Sequence, residues 1–153
     1  MANTKEKATS GSTGTATSGQ AARSTQINII NGTQFGMLLT AQNLEAGVWN
    51  GGPVQTFPAY TSRTVAQNDS DGIMTGDEGS LTYNLLDASL NVVATINLSW
   101  NNPYIGSCGY SCSFTPSPTY GNELPATGYI NYSGGGGDNA AVYFVVCCAA
   151  NGN

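Results

Sequence analysis

The sequence predicts an all-β protein: a single-domain antiparallel β-sandwich that follows a disordered N-terminal tail. Three observations indicate this class. About eight short segments alternate apolar and polar side chains or are continuously apolar, and turn residues separate them. No segment has the period of an amphipathic helix. Charged residues make up only 8% of the chain, so Asn, Ser, Thr and Gly must supply the polar surface, which suits strands better than helices.

The chain has 153 residues, a length that one domain accommodates. Residues 1–25 are mostly Gly, Ser, Thr, Ala and Gln and cannot bury enough apolar surface to offset the entropy of ordering. We therefore expect a flexible tail at 1–25, the β-sandwich at 26–148 and a short C-terminal tail at 149–153.

The first strands are short. Residues 26–31 (QINIIN) alternate Ile with Asn and end at an Asn-Gly turn, so residues 35–42 are expected to return beside them as a hairpin. Residues 43–58 are crowded with Gly and Pro and predict a loop or a broken edge strand. Residues 63–67 predict another short strand, which ends at the turn residues NDSDG.

The clearest alternation lies in the middle of the chain. Leu81, Tyr83 and Leu85 share one strand face, and after the DASLN turn residues 94–100 place every second apolar residue on one face. Pro103 ends this strand because proline cannot donate to the strand ladder. These two strands predict a central hairpin.

The later segments predict three more strands. Residues 110–114 form one, and a proline-rich loop follows at 115–125. Residues 128–133 and 140–148 flank the turn SGGGGDN and predict a hairpin. The run AAVYFVVCC is apolar on both faces, which is typical of a central strand that is covered on both sides.

Composition excludes several functions. The formal net charge is −5, and Arg63 is the only base after residue 25, so nucleic acid and anionic lipid are not expected partners. The chain has no histidine, the usual general base and the commonest zinc ligand, so we expect no enzyme, no metal and no cofactor. The acids at 69–78 lack the ligand spacing of a calcium loop.

The sequence shows no signal peptide and no apolar run long enough to span a bilayer, so synthesis in the cytosol is expected. Disulfides are then not favoured, and reduced thiols are expected. Adjacent Cys147 and Cys148 point to opposite faces of a strand and are not expected to pair. Cross-pairing with Cys108 and Cys112 remains an alternative.

Four segments resemble, in the same order, the aegerolysins, a family of small acidic proteins from fungi and bacteria. The resemblance covers roughly residues 26–146, and its segments are NLEAGVW (43–49), DEGSLTYNLLD (77–87), SWNNPY (99–104) and YINYSGG (129–135). Tyr104 departs from the family, since several relatives have Trp there, and Asn131 stands where relatives often have Glu.

The resemblance implies a compact β-sandwich that binds membrane sphingolipids, often in sterol-rich domains, together with a perforin-like (MACPF) partner protein that forms the pore. Some bacterial members are insecticidal. The expected function is therefore non-enzymatic lipid recognition, as the binding component of a two-component cytolysin or insecticidal toxin. Such a protein would act outside the producing cell, at the membranes of target cells.

The resemblance places the lipid-selecting glutamate of the family at Glu78. A carboxylate on a rigid loop could pair with the ammonium group of a phosphoethanolamine or choline headgroup, and the alternative is a solvated acid at a strand start. Asp77 beside it is expected to be solvated.

Aromatic residues supply the other candidate lipid contacts. Trp49 and Tyr104 lie in Gly/Pro-rich segments, where exposed amphipathic rings could settle at the headgroup level of a bilayer. The alternative for both rings is packing under a loop. Trp100 has the same strand phase as Leu98, so a core position is favoured over a lipid contact.

Two other functions remain open. An actinoporin-like protein forms pores alone, but it needs an N-terminal amphipathic helix that the Gly/Ser/Thr-rich tail does not supply. A carbohydrate-binding β-sandwich would also use exposed Trp and Tyr side chains beside Asn and Asp.

Overall fold

The computed structural model describes residues 22–118 and 128–148. The predicted C-terminal tail lies outside this range, as does the predicted N-terminal tail up to residue 21. The described residues form ten strands and no helix that could span a membrane. The strands are β1 (Ser24–Asn31), β2 (Gly36–Ala46), β3 (Val48–Trp49), β4 (Thr56–Phe57), β5 (Ser62–Asp69), β6 (Asp77–Leu86), β7 (Val92–Asn102), β8 (Gly109–Pro116), β9 (Gly128–Gly134) and β10 (Asn139–Cys148).

The strands form two five-stranded sheets packed face to face, which confirms the predicted β-sandwich. Sheet I has the order β9-β10-β1-β5-β3, and sheet II has the order β4-β2-β6-β7-β8. Neighbouring strands are antiparallel except β10 and β1, which run parallel from Asn139 opposite Ser24 to Val146 opposite Asn31. The predicted hairpins β6–β7 and β9–β10 are both present.

The predicted hairpin between residues 26–31 and 35–42 is wrong, because β1 and β2 lie in different sheets. A buried polar corner carries the chain across instead of a tight turn. The Asn31 amide donates to the carbonyl oxygens of Phe35 and Pro58 at 2.8 and 3.2 Å, and the Asn31 side-chain oxygen accepts from the Thr33 backbone amide at 3.0 Å. These bonds satisfy buried polar groups that a sheet ladder would otherwise satisfy.

Residues 43–58, which were predicted to form a loop or a broken edge strand, contain short strand segments as well as loops. β2 extends to Ala46, and β3 and β4 are two-residue strands at the edges of sheets I and II. β10 is central in its sheet as predicted, yet only one of its faces is buried. Phe144 is fully buried, whereas Tyr143 on the other face is 45% exposed because nothing in the described chain packs over that face.

Apolar side chains from the facing sides of both sheets form one core. The alternation in β6 and β7 is observed as predicted, since each inward residue is almost fully buried. The largest buried side chains are Trp100, Tyr83, Phe144, Ile27, Ile29, Met37, Leu81, Leu85, Ile96 and Leu98.

Strand directions divide the connecting loops between the two ends of the sandwich. The upper end contains Gly47 and the loops at 70–76, 103–108 and 135–138. The lower end contains the loops at 32–35, 58–61 and 87–91. All five residues proposed as lipid contacts from the sequence lie at or next to the upper end.

Candidate functional site

Both tryptophans pack inside the upper end. Trp100 is 1% exposed, which is the core position that its strand phase predicts. Trp49 lies in β3 and is half-buried, with its ring centroid 6.0 Å from that of Trp100 and the two planes tilted by 58°. Such tilted pairs stabilise a core beyond the area that they bury. The structure therefore favours packing over membrane contact for Trp49.

Gly79 makes room for the Trp100 ring. A Cβ atom at this position would lie 2.7 Å from Cζ2 of Trp100 and 2.6 Å from the backbone oxygen of Asn43. Neither distance is compatible with a carbon atom, so glycine is required where β6 passes between the ring and β2. Gly79, the glycine of the Glu-Gly pair in the family resemblance, is thus needed for packing.

Asp77 is buried, which corrects the expectation that it is solvated. It is 1% exposed because its side chain lies on the core-facing side of sheet II, opposite Asn102 at the end of β7. Burial raises the pKa of Asp77 from 3.8 to about 6, although Thr25 and Asn102 lower it in part. Among the described residues, Oδ2 of this carboxyl group accepts from Asn102, whereas Oδ1 has no hydrogen-bond partner. Such an atom is costly to bury in its charged form.

Asn102 connects the strands around Asp77. Its amide nitrogen lies 3.0 Å from the Gly137 carbonyl oxygen and 3.4 Å from both the Ser24 carbonyl oxygen and Oδ2 of Asp77. One amide therefore links the beginnings of β1 and β6 with the loop before β10. Asp77 and Asn102 are part of the support beneath the upper loops rather than part of their surface.

Tyr104 lies in the loop after β7 and is half-buried against Arg23. The Arg23 guanidinium group lies 5.4 Å from the ring centroid, within the range of a cation–π contact. Arg23 also donates to the Tyr104 carbonyl oxygen and to Oδ1 of Asp138, both at 2.7 Å. Its backbone exchanges hydrogen bonds with Ser70. Arg23 thus joins three of the upper loops.

Glu78 points to the outer face of sheet II, away from the core. It lies opposite Asn101 of β7 and Ala46 of β2, and it is half-buried. It lines an open concave surface that encloses a volume of about 460 Å³. The surface is also lined by Glu45, Gly79, Ser80, Ser99, Trp100, Asn101, Gly109, Tyr110 and Ser111. Two carboxylates and several hydroxyl groups therefore face one concavity.

Sequence reasoning missed three exposed apolar residues at the upper end. Ile73, Met74 and Ile105 are 89%, 63% and 81% exposed. Their loops touch, because a Cβ on Gly76 would lie 2.7 Å from Cα of Pro103. The available signal was an Ile-Met pair inside a turn of polar residues and an Ile directly after Pro-Tyr, since turns otherwise favour Gly, Asn, Asp and Ser.

The remaining candidate groups are metal ligands and thiols. Across residues 22–118 and 128–148, no three His, Cys, Asp or Glu side chains come together as metal ligands would. Cys108, Cys112 and Cys147 are free and half-buried. Burial raises the pKa of the Cys112 thiol, which disfavours the reactive thiolate.

No protein-family model and no curated protein match the sequence. Among solved structures, the chain is similar to the crystal structure of the lipid binding protein Nakanori, with a TM-score of 0.65. The two share 14% sequence identity over 82% of this chain and 71% of that chain. At this identity the similarity shows the fold, which is therefore one that a lipid-binding protein also uses.

Proposed function

We propose that the chain is a non-enzymatic membrane-lipid recognition protein of the aegerolysin type, the binding component of a two-component cytolysin or insecticidal toxin. One observation carries the proposal: Glu78 opens, with Glu45, onto one concave surface beside the upper end, on a fold that a lipid-binding protein shares. The sequence resemblance independently assigns lipid selection to this residue. Its expected targets are sphingolipid headgroups at the outer surface of target cells.

The charges at the site favour a zwitterionic headgroup. Glu78 and Glu45 line the same concavity, and the neighbouring Ser99 and Ser111 hydroxyl groups lie 2.5 Å apart. Carboxylates attract the ammonium group of phosphoethanolamine or choline, and hydroxyl groups could donate to the phosphate. Among the described residues, no basic side chain lines this surface, so an anionic headgroup would lack a counter-charge there. An acidic protein could therefore bind membranes without attraction to anionic lipid.

Glu78→Gln is expected to weaken vesicle binding by about tenfold, because it removes a charge-assisted contact to the ammonium group and keeps the side-chain size. Co-sedimentation with vesicles of sphingomyelin, ceramide phosphoethanolamine or phosphatidylcholine, each with and without sterol, measures the effect. Asp71→Asn is the matched control, since it removes one exposed acid from a neighbouring loop outside the concavity. Equal losses in both variants would contradict a specific role for Glu78.

The same vesicles separate the rival functions. Binding of the wild-type protein to none of them would contradict lipid recognition. Release of an entrapped dye by this protein alone would favour the actinoporin-like function, whereas the two-component function requires a perforin-like protein for release. A glycan array tests carbohydrate binding, for which the packed Trp49 and Trp100 rings supply no exposed platform.

A further inference from the structure

We propose that Ile73, Met74 and Ile105, here called the apolar apex, enter the acyl-chain region of an uncharged or zwitterionic bilayer. This inference rests on the proposed lipid recognition and adds a second contact to it. Glu78 would select the headgroup, and the apolar apex would anchor the protein below the headgroup level. Neither the family resemblance nor the sequence patterns assign a function to these three residues.

The apolar apex is unusual for a protein surface of this composition. Ile73 and Ile105 are each more than four-fifths exposed, and Met74 is 63% exposed. Single exposed apolar residues are ordinary, but here three of them lie on two loops that touch at their bases. Burying each of them in hydrocarbon would favour binding.

The backbone at Met74 holds an apolar side chain outward in an uncommon conformation. Its φ of 63° lies in the left-handed region, which is unfavourable for a bulky side chain and natural for Gly or Asn. Thr75 stabilises the turn by donating from its hydroxyl to the Gly72 carbonyl oxygen at 3.0 Å. A large apolar residue is therefore held outward at a conformational cost, as it also is at Leu90 in the lower end.

The apolar apex rests on a rigid base. Gly76 lies directly against Asn102 and Pro103, and the Arg23 side chain fixes the Tyr104 carbonyl group next to Ile105. These contacts hold the bases of the two loops in place. Preorganisation lowers the entropy that binding must overcome, so even a small apolar surface could contribute to affinity.

Charge at the upper end favours a membrane without net charge. Arg23 is the only base among the described residues of this end, and Asp138 neutralises it at 2.7 Å. Asp71 is exposed beside Ile73. An anionic bilayer would therefore be repelled, whereas ammonium groups of zwitterionic lipids would tolerate these carboxylates.

The position of the apolar apex favours a bilayer over a protein partner. Met74 precedes Glu78 by four residues, and both belong to the same end of the sandwich. A bilayer that presents its headgroups to Glu78 would have its acyl chains near the apolar apex. The two contacts therefore belong to the same end of the sandwich, where one bilayer could reach both.

The experiment compares Met74→Trp with Leu90→Trp on vesicles of sphingomyelin, cholesterol and phosphatidylcholine brominated in its acyl chains. Leu90 is a matched control because it is 75% exposed, has a φ of 67° and lies at the lower end. Bromine quenches a tryptophan that enters the acyl region. We expect quenching and a blue shift for Met74→Trp beyond the wild-type signal of Trp49 and Trp100, and none for Leu90→Trp. Vesicle-bound Met74→Trp that is not quenched would overturn the inference.

A second pair, Met74→Asn and Leu90→Asn, tests affinity. Asn accepts the left-handed backbone, so neither variant should lose its fold. We expect about tenfold weaker vesicle binding for Met74→Asn and a change below about twofold for Leu90→Asn, from the loss of one buried apolar side chain. If Glu78→Gln loses binding and Met74→Asn does not, lipid recognition stands and the apolar apex is overturned. A wild-type protein that binds no vesicle would overturn both.

Discussion

Trp100→Ala is expected to lower the free energy of unfolding by about 3–5 kcal/mol, the largest stability loss of any single substitution proposed for this chain. The ring is 1% exposed, and Gly79 leaves space for it on one side while Trp49 packs on the other. Alanine would leave a cavity that neither the glycine nor the edge strand β3 has atoms to fill. Urea denaturation monitored by circular dichroism measures the loss.

Two further variants locate the cause of this loss. Trp49→Ala should cost less because that ring is only half-buried, and the double variant should reveal a coupling of about 0.5–1.5 kcal/mol between the rings. Trp100→Phe keeps most of the packing and removes a buried Nε1 that has no hydrogen-bond partner. A Trp100→Phe loss as large as that of Trp100→Ala would contradict packing as the cause.

The stability of the protein is expected to fall as the pH rises from about 4 to about 6. Burial raises the pKa of Asp77 from 3.8 to about 6, so the folded state binds this proton more tightly than the unfolded state. In that window the folded protein carries more bound protons, and the free energy of unfolding decreases with pH. The contribution of Asp77 is on the order of 3 kcal/mol and is fully lost above pH 6.

Asp77→Asn isolates this contribution, because it removes the titration and keeps the size of the side chain. The variant should lose the decline between pH 4 and 6 and be more stable than the wild-type protein at pH 7. Urea denaturation at a series of pH values measures both effects. Asp71→Asn serves as the control, since an exposed acid should leave the decline unchanged. A decline that persists in Asp77→Asn would assign it to another group.

Strict alternation of apolar and polar residues made the central hairpin β6–β7 predictable. In β6 and β7 the period of two defines the buried face without help from distant residues, and the structure buries that face. The pairing of β1 was not predictable in the same way. An Asn-Gly turn after β1 favours a hairpin locally, but the Asn31 side chain bonds to Phe35 and Pro58, and Pro58 is distant in sequence.

The sequence predicted where the candidate site lies better than it predicted which of its side chains face outward. The five residues chosen from sequence gather around the upper end, yet Asp77 and Trp49 pack inward. Adjacent acids at a strand start look alike in sequence, although alternation sends Asp77 inward and Glu78 outward. Ile73 and Met74 carried only an ambiguous signal, because an Ile-Met pair among turn residues is also compatible with a strand fragment.

The parallel contact between β1 and β10 has a consequence for how the chain folds. In sheet II, β6, β7 and β8 pair as consecutive strands, whereas β1 pairs with β10, which follows it by more than 100 residues. Long-range closure of this kind slows folding. During synthesis, the edge of the Ile-rich strand β1 that pairs with β10 would remain unpaired until the ribosome has released β10. A chain truncated before Asn139 should therefore retain the β6–β7–β8 meander and expose β1 as an aggregation-prone strand.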